Sequence, residues 1–180
     1  PGLPRGTPRH PGAPRGVGAG LLFLRGNLGF SLGLTGCCAR SLGCSGGGVV
    51  GTGADGQPHE LEQQPGISVS LFNLPGSELQ LFQLEAGGLP DLDGPSQQWV
   101  DWVGAQPEGA HSMLLFIDPG CPAINDLISG LDYAYPNAAI IGGIAAPHNA
   151  SHGSLLFDGQ IINGAAGVSI GGDWVLDPVV

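Results

Sequence analysis

Residues 112–145 read SMLLFIDPGCPAINDLISGLDYAYPNAAIIGGIA, and this stretch decides the fold class. Residues 113–117 are an unbroken apolar run, the pattern of a strand covered on both faces. Asp118-Pro119-Gly120-Cys121-Pro122 then turns the chain, and Pro122 suits the first position of a helix, where its missing N–H is no loss. Ile124, Leu127, Ile128, Leu131 and Tyr135 recur at i, i+3, i+4, i+7 and i+11, which is one face of that helix. Pro136-Asn137 stops it, and a second apolar run follows over 138–143. Strand, helix and strand in this span predict a βαβ unit with a right-handed crossover.

Working outward, Ile67-Ser68-Val69-Ser70-Leu71-Phe72 alternates apolar and polar between Pro65-Gly66 and Pro75-Gly76, a strand bounded by turns. Residues 79–84 follow at hairpin distance and are expected to pair with it. Residues 95–103 read as one or two helical turns with Ser96 as N-cap. Asp158-Gly159 lies between the apolar stretches 153–157 and 160–170, a strong turn signal that predicts a hairpin. The class is α/β: a mixed β-sheet with a βαβ unit at about 112–145 and hairpins, with helices packed on the sheet.

Composition narrows the function classes. The 180 residues suit one core, and 34 Gly and 16 Pro make the chain turn-rich, while 42% hydrophobic residues still allow a core. All five basic residues (Arg5, Arg9, Arg15, Arg25 and Arg40) precede all fifteen acids, which run from Asp55 to Asp177. With no Lys or Arg, residues 41–180 repel phosphate backbones, so no nucleic-acid partner is expected, and a P-loop lacks its lysine. A buried carboxylate there must accept hydrogen bonds, bind a cation, face solvent or meet another segment. No apolar run reaches 18 residues, so no membrane span is expected.

The first forty residues differ. Residues 1–20 have no hydrophobic periodicity and are expected to be disordered. The apolar patch Leu21-Leu22-Phe23-Leu24 is cut by Arg25. The arginine-bearing leader is too poor in serine for a typical transit peptide, and Leu34-Thr35-Gly36-Cys37 resembles a lipoprotein cleavage box with Arg25 in the wrong place. The expectation is a disordered or atypical extension over 1–41 and a domain over 42–180. Opening on Pro1, the chain reads as a fragment. The expected setting is cytoplasmic, or a plastid if the leader is a transit peptide.

Several short motifs compete for a function. Gly43-Cys44-Ser45-Gly46-Gly47 fits the G-x-S-x-G nucleophile pattern, which needs a helix after it, but Val49-Val50-Gly51-Thr52 follows. Gly46, Gly48 and Gly51 fit G-x-G-x-x-G with the same defect. A glycine-dense turn explains both. Cys37, Cys38, Cys44 and Cys121 lack C-x-x-C spacing, so no structural zinc is expected. Cys121 at a helix start is placed for thiolate character, against the plainer reading of Cys44 and Cys121 as small buried residues. His148 and His152 stand four apart, but Pro147, Asn149 and Gly153 argue for a loop and against a metal pair.

In order along the chain, 43–51, Gln64-Pro65-Gly66-Ile67-Ser68-Val69, Leu74-Pro75-Gly76, 113–119, 131–137, Ile140-Ile141-Gly142-Gly143-Ile144-Ala145, Phe157-Asp158-Gly159 and Gly164-Ala165-Ala166-Gly167-Val168 resemble the FIST N-terminal domain. The resemblance spans roughly residues 42–172. Before 41, where the family has an opening helix and strand, it fails, and the C-terminal FIST half is expected to be missing. It implies a non-enzymatic sensory or signal-transduction module for small molecules, with amino acids as the proposed ligands and no cofactor. A eukaryotic F-box adaptor carries a similar arrangement, though no F-box is visible here. The expected ligand contacts are Gly43, Cys44, Ser45 and Gly46, with Asp118, Cys121, Gly142 and Gly143, because glycine pairs at strand ends let a ligand approach the backbone. Tight sheet packing by the same glycines is the competing reading. The rival function is a hydrolase using Cys44 or Ser45 with an imidazole from His111, His148 or His152.

Overall fold

The computed structural model describes residues 18–25, 40–62, 66–84, 88–147 and 153–179. In chain order the elements are β1 (Gly18–Arg25), β2 (Arg40–Ser45), β3 (Gly48–Thr52), β4 (Pro58–Glu62), β5 (Gly66–Asn73), β6 (Ser77–Leu84) and α1 (Ser96–Val103). They continue with β7 (Ser112–Ile117), α2 (Ile124–Ala134), β8 (Ala139–Ile144), β9 (Leu155–Phe157), β10 (Gln160–Ile162) and β11 (Ala165–Gly172). The class is α/β and strand-rich.

Two sheets carry the structure: a five-stranded one ordered β10-β9-β2-β1-β5 and a four-stranded one ordered β6-β11-β7-β8, with β3-β4 as a separate ribbon. The alternation of side chains on β7 shows why they stack. Met113, Leu115 and Ile117 pack with Trp99, Leu127 and Leu131 of the helices, whereas Phe116 packs with Leu42 and Cys44 of the five-stranded sheet. β11 divides the same way, Ala165 to the helices and Ala166, Val168 and Ile170 to the other sheet. The four-stranded sheet is thus the middle of three layers, and β7 reads as a continuous apolar run because both its faces are covered. β7 and β8 pair in parallel, Leu115 opposite Gly142, with α2 connecting them.

Several expectations are corrected. β5 and β6 are not a hairpin: β5 pairs with β1, and β6 pairs with β11, Leu81 opposite Val168. They part at the Pro75-Gly76 turn, where Gly76 has φ +76°. Nearness in sequence favoured the hairpin, but β11 is buried along nearly its whole length and needs a neighbour on each side. The stretch 160–170 is likewise two strands, broken at Gly164 with φ +89°. The turn ahead of it is as the Asp-Gly pair requires, with Asp158 at φ +45° and Gly159 at +85°. The N-cap of α1 is Pro95 rather than Ser96, and α2 starts at Ile124, two residues beyond Pro122.

The core-facing side of α2 is also rotated. Leu127, Gly130, Leu131 and Ala134 are buried, while Ile128 is 38% exposed. Gly130 turns the helix because a Cβ there would run into the ring of Trp99. That fully buried ring stands edge-on to Trp102 at 5.8 Å, and Trp102 meets Phe82 in the same manner.

At the N-terminal side, β1 pairs parallel with β2 and antiparallel with β5. Residues 18–20 are therefore sheet and not disordered leader; the short apolar run after them is long enough for a strand between two partners. Residues 1–17, the Leu34-Thr35-Gly36-Cys37 box, Cys38, His148, Asn149 and His152 lie outside the described residues. Among the described residues no helix is long and apolar enough to cross a membrane.

Candidate functional site

The two sheets meet differently at their two ends. At one end, hydrogen bonds tie them together. Ser45, closing β2, donates from its N–H to the Ser154 carbonyl at 2.8 Å and from its hydroxyl to the Ala146 carbonyl at 2.8 Å. Ala146 N–H donates back to the Ser45 carbonyl at 2.9 Å. Asp118, buried just past β7, accepts from Gly120 N–H at 2.8 Å, from Ser154 N–H at 3.2 Å and from the Ser154 hydroxyl. A carboxylate in a segment without cations is satisfied here by three donors of its own chain.

At the other end the sheets part around a cavity of about 470 Å³. Leu42 and Phe72 line it from the five-stranded sheet, and Leu81, Leu114 and Val168 from the four-stranded one. The cavity exists because β5 and β6 diverge into different sheets, so residues that sequence reading set opposite each other in a hairpin become facing walls.

The segment after β11 closes this end. Asp173 N–H donates to the Gly76 carbonyl at 3.0 Å, and Trp174 Nε1–H donates to the Pro75 carbonyl at 2.8 Å. Leu176 N–H donates to Oγ of the fully buried Ser112 at 2.9 Å, and His111 Nδ1 lies 3.2 Å from the Trp174 carbonyl oxygen. Trp174, Val175 and Leu176 thereby become cavity wall. At the mouth stand Arg40, Ser41 and Asp177; the Arg40 guanidinium is held 2.7 Å from Asp158. The one legible hint of this site was the apolar Trp174-Val175-Leu176 run in an acidic tail.

The sequence profile of the FIST N domain matches residues 32–180. The chain belongs to the FIST family. No curated protein matches it. The FIST family is one of proposed sensory modules, which gives the chain a sensory role at that coarse level. The match begins ahead of residue 41, where sequence reading drew its boundary.

Within this FIST domain the expected contact residues divide among the β2–β3 path, the turn after β7 and strand β8. Gly43, Cys44 and Ser45 belong to strand β2, and Gly46-Gly47 make the turn into β3. That strand–turn–strand path lacks the helix a nucleophile elbow requires. Ser45 and Asp118 are joined through Ser154. Cys44 and Cys121 sit on opposite faces of the middle sheet, Cys44 in the core between the sheets and Cys121 in the core beneath the helices. Burial pushes the Cys44 thiol up to about 11, which keeps it protonated at neutral pH and unsuited to nucleophilic attack. Gly142 and Gly143 are exposed on β8. A Cβ at Gly142 would run into the Leu115 carbonyl oxygen, so the close approach is to the neighbouring strand, whereas Gly143 faces open space. None of the eight residues lines the cavity. Among the described residues no group of three or more His, Cys, Asp or Glu side chains is placed to hold a metal.

Proposed function

We propose that this FIST domain is a non-enzymatic sensory module that binds a small molecule between its two sheets and signals through a partner. The observation that carries this reading is the cavity of about 470 Å³, lined by both sheets and closed by the anchored 173–176 segment. Its size falls in the range of about 300–1,000 Å³ typical of small-molecule sites. Amino acids, the class that the family resemblance implies, and uncharged apolar metabolites are the ligand classes to test, and the C-terminal FIST half is the first partner.

In this reading Ser45 and Asp118 hold the sheets together at the far end from the ligand, so that filling the cavity moves the sheets about a fixed edge. Residues 43–46 with Gly142-Gly143 are the alternative ligand position. A thermal-shift panel of amino acids and other small metabolites on the full chain tests the proposal, since a ligand that binds only the folded state raises its melting temperature. Stabilisation that disappears when the cavity is filled by Ile170→Phe supports it. Stabilisation untouched by that change but lost in Ser45→Ala points to the alternative position. No stabilisation by any member of the panel counts against a small-molecule sensor.

A further inference from the structure

We propose that the inter-sheet cavity takes an uncharged apolar molecule in preference to any charged one. This rests on the reading that the domain binds a small molecule between its sheets, and it adds the ligand's chemistry. The walls supplied by Leu42, Leu81, Leu114 and Val168 offer no hydrogen-bond partner from their side chains, so a charge carried inward would be desolvated without compensation. The ionic groups at the mouth do not offset this. Arg40 is engaged by Asp158 at 2.7 Å, and both side chains remain well exposed to water. With Arg40 paired to Asp158, the exposed Asp177 leaves the mouth weakly negative, and in water that screened charge does not offset burying an ammonium between apolar walls. The formal charge of −10 further disfavours an anion. A neutral molecule meets none of these costs, and its burial against aliphatic walls is favourable in proportion to the area covered.

The chain carries its own reporter. Trp174 lines the cavity and donates from Nε1 to the Pro75 carbonyl, so occupancy changes the surroundings of its ring. The test compares four probes on the full chain at neutral pH: 1-decanol, decanoate, decylammonium and L-leucine. Melting temperature and tryptophan emission are the readouts. Decanol is expected to raise the melting temperature by about 5–10 °C at a hundredfold excess over its Kd. It should bind about tenfold or more tightly than either charged probe of the same chain length. The emission change should vanish in Trp174→Phe while the thermal shift persists. Filling the cavity by Val168→Phe, or by Leu79→Trp should the first variant fail to fold, should remove the shift.

Equal or tighter binding of decanoate or decylammonium overturns the inference, as does a decanol shift that survives in a folded cavity-filled variant. Stabilisation by L-leucine alone overturns it as well, but leaves the small-molecule reading standing. No shift with any of the four probes, nor with the wider panel, removes both.

Discussion

Gly142 and Gly143 are adjacent in sequence and alike in exposure, yet the structure gives them different duties. At Gly142 a side chain would meet the backbone oxygen of Leu115, which cannot move without breaking the β7–β8 pairing. Gly142→Ala should therefore cost about 1–3 kcal/mol, the usual penalty for forced overpacking. Gly143→Ala should stay within about 0.5 kcal/mol. Urea midpoints of the two variants check this, and equal losses would mean that the strands lie farther apart. Two other residues carry a pH response. Burial raises the Cys44 thiol from 9.0 to about 11. Burial first, and then the nearby Asp101 charge, raise the Tyr135 phenol from 10.0 to about 12. Both pKa values are higher folded than unfolded, so the unfolded chain loses these protons first and stability falls as pH rises. The contribution is complete below pH 9 and is lost progressively as pH climbs through about 11 for Cys44 and about 12 for Tyr135. Urea midpoints should therefore drop between about pH 9 and about pH 10.5. The Cys44→Ala, Tyr135→Phe double variant should show a flatter profile, and an unchanged slope would mean that other groups carry the response.

Among the elements, α2 shows where periodicity is informative and where it stops. Leu127 and Leu131 are fully buried as their spacing predicts, but Ile128, from the same expected face, is 38% exposed. Counting apolar residues could not reveal that Gly130 is the contact point, since its role is to have no side chain under Trp99. Leu127→Ala should cost about 2–5 kcal/mol, the range for a large buried aliphatic residue. Ile128→Ala should cost well under half of that, and equal losses in urea unfolding would place the helix in the sequence-derived phase. The strands divide in the same way. Their existence at 67–72, 79–84, 113–117 and 138–143 follows from local pattern, because apolar runs and bounding turns are local facts. Their partners are not local facts. β5 and β6 sit one turn apart and join different sheets, because β11, far along the chain, competes for β6. The candidate site was hidden for that reason: its walls are strands whose pairing sequence spacing misassigned, while the glycine segments that drew attention serve β2, its turn and the β7–β8 contact.

For the whole molecule, three layers account for the distribution of apolar residues, the helices covering one face of the four-stranded sheet and the five-stranded sheet covering the other. The space between the sheets is filled at the Ser45–Ser154–Asp118 end and hollow at the Trp174 end. That asymmetry underlies the sensory reading: a ligand held in the hollow end works against an edge pinned by hydrogen bonds. Methyl and backbone-amide NMR of the full chain, titrated with a compound that stabilises it, tests this most directly. Shift changes should concentrate on the methyls of Leu42, Leu81, Leu114, Val168 and Ile170, which line the cavity from both sheets. Changes clustered instead on backbone amides of Ser45, Gly142 and Gly143, with those methyls unmoved, would contradict a ligand site between the sheets.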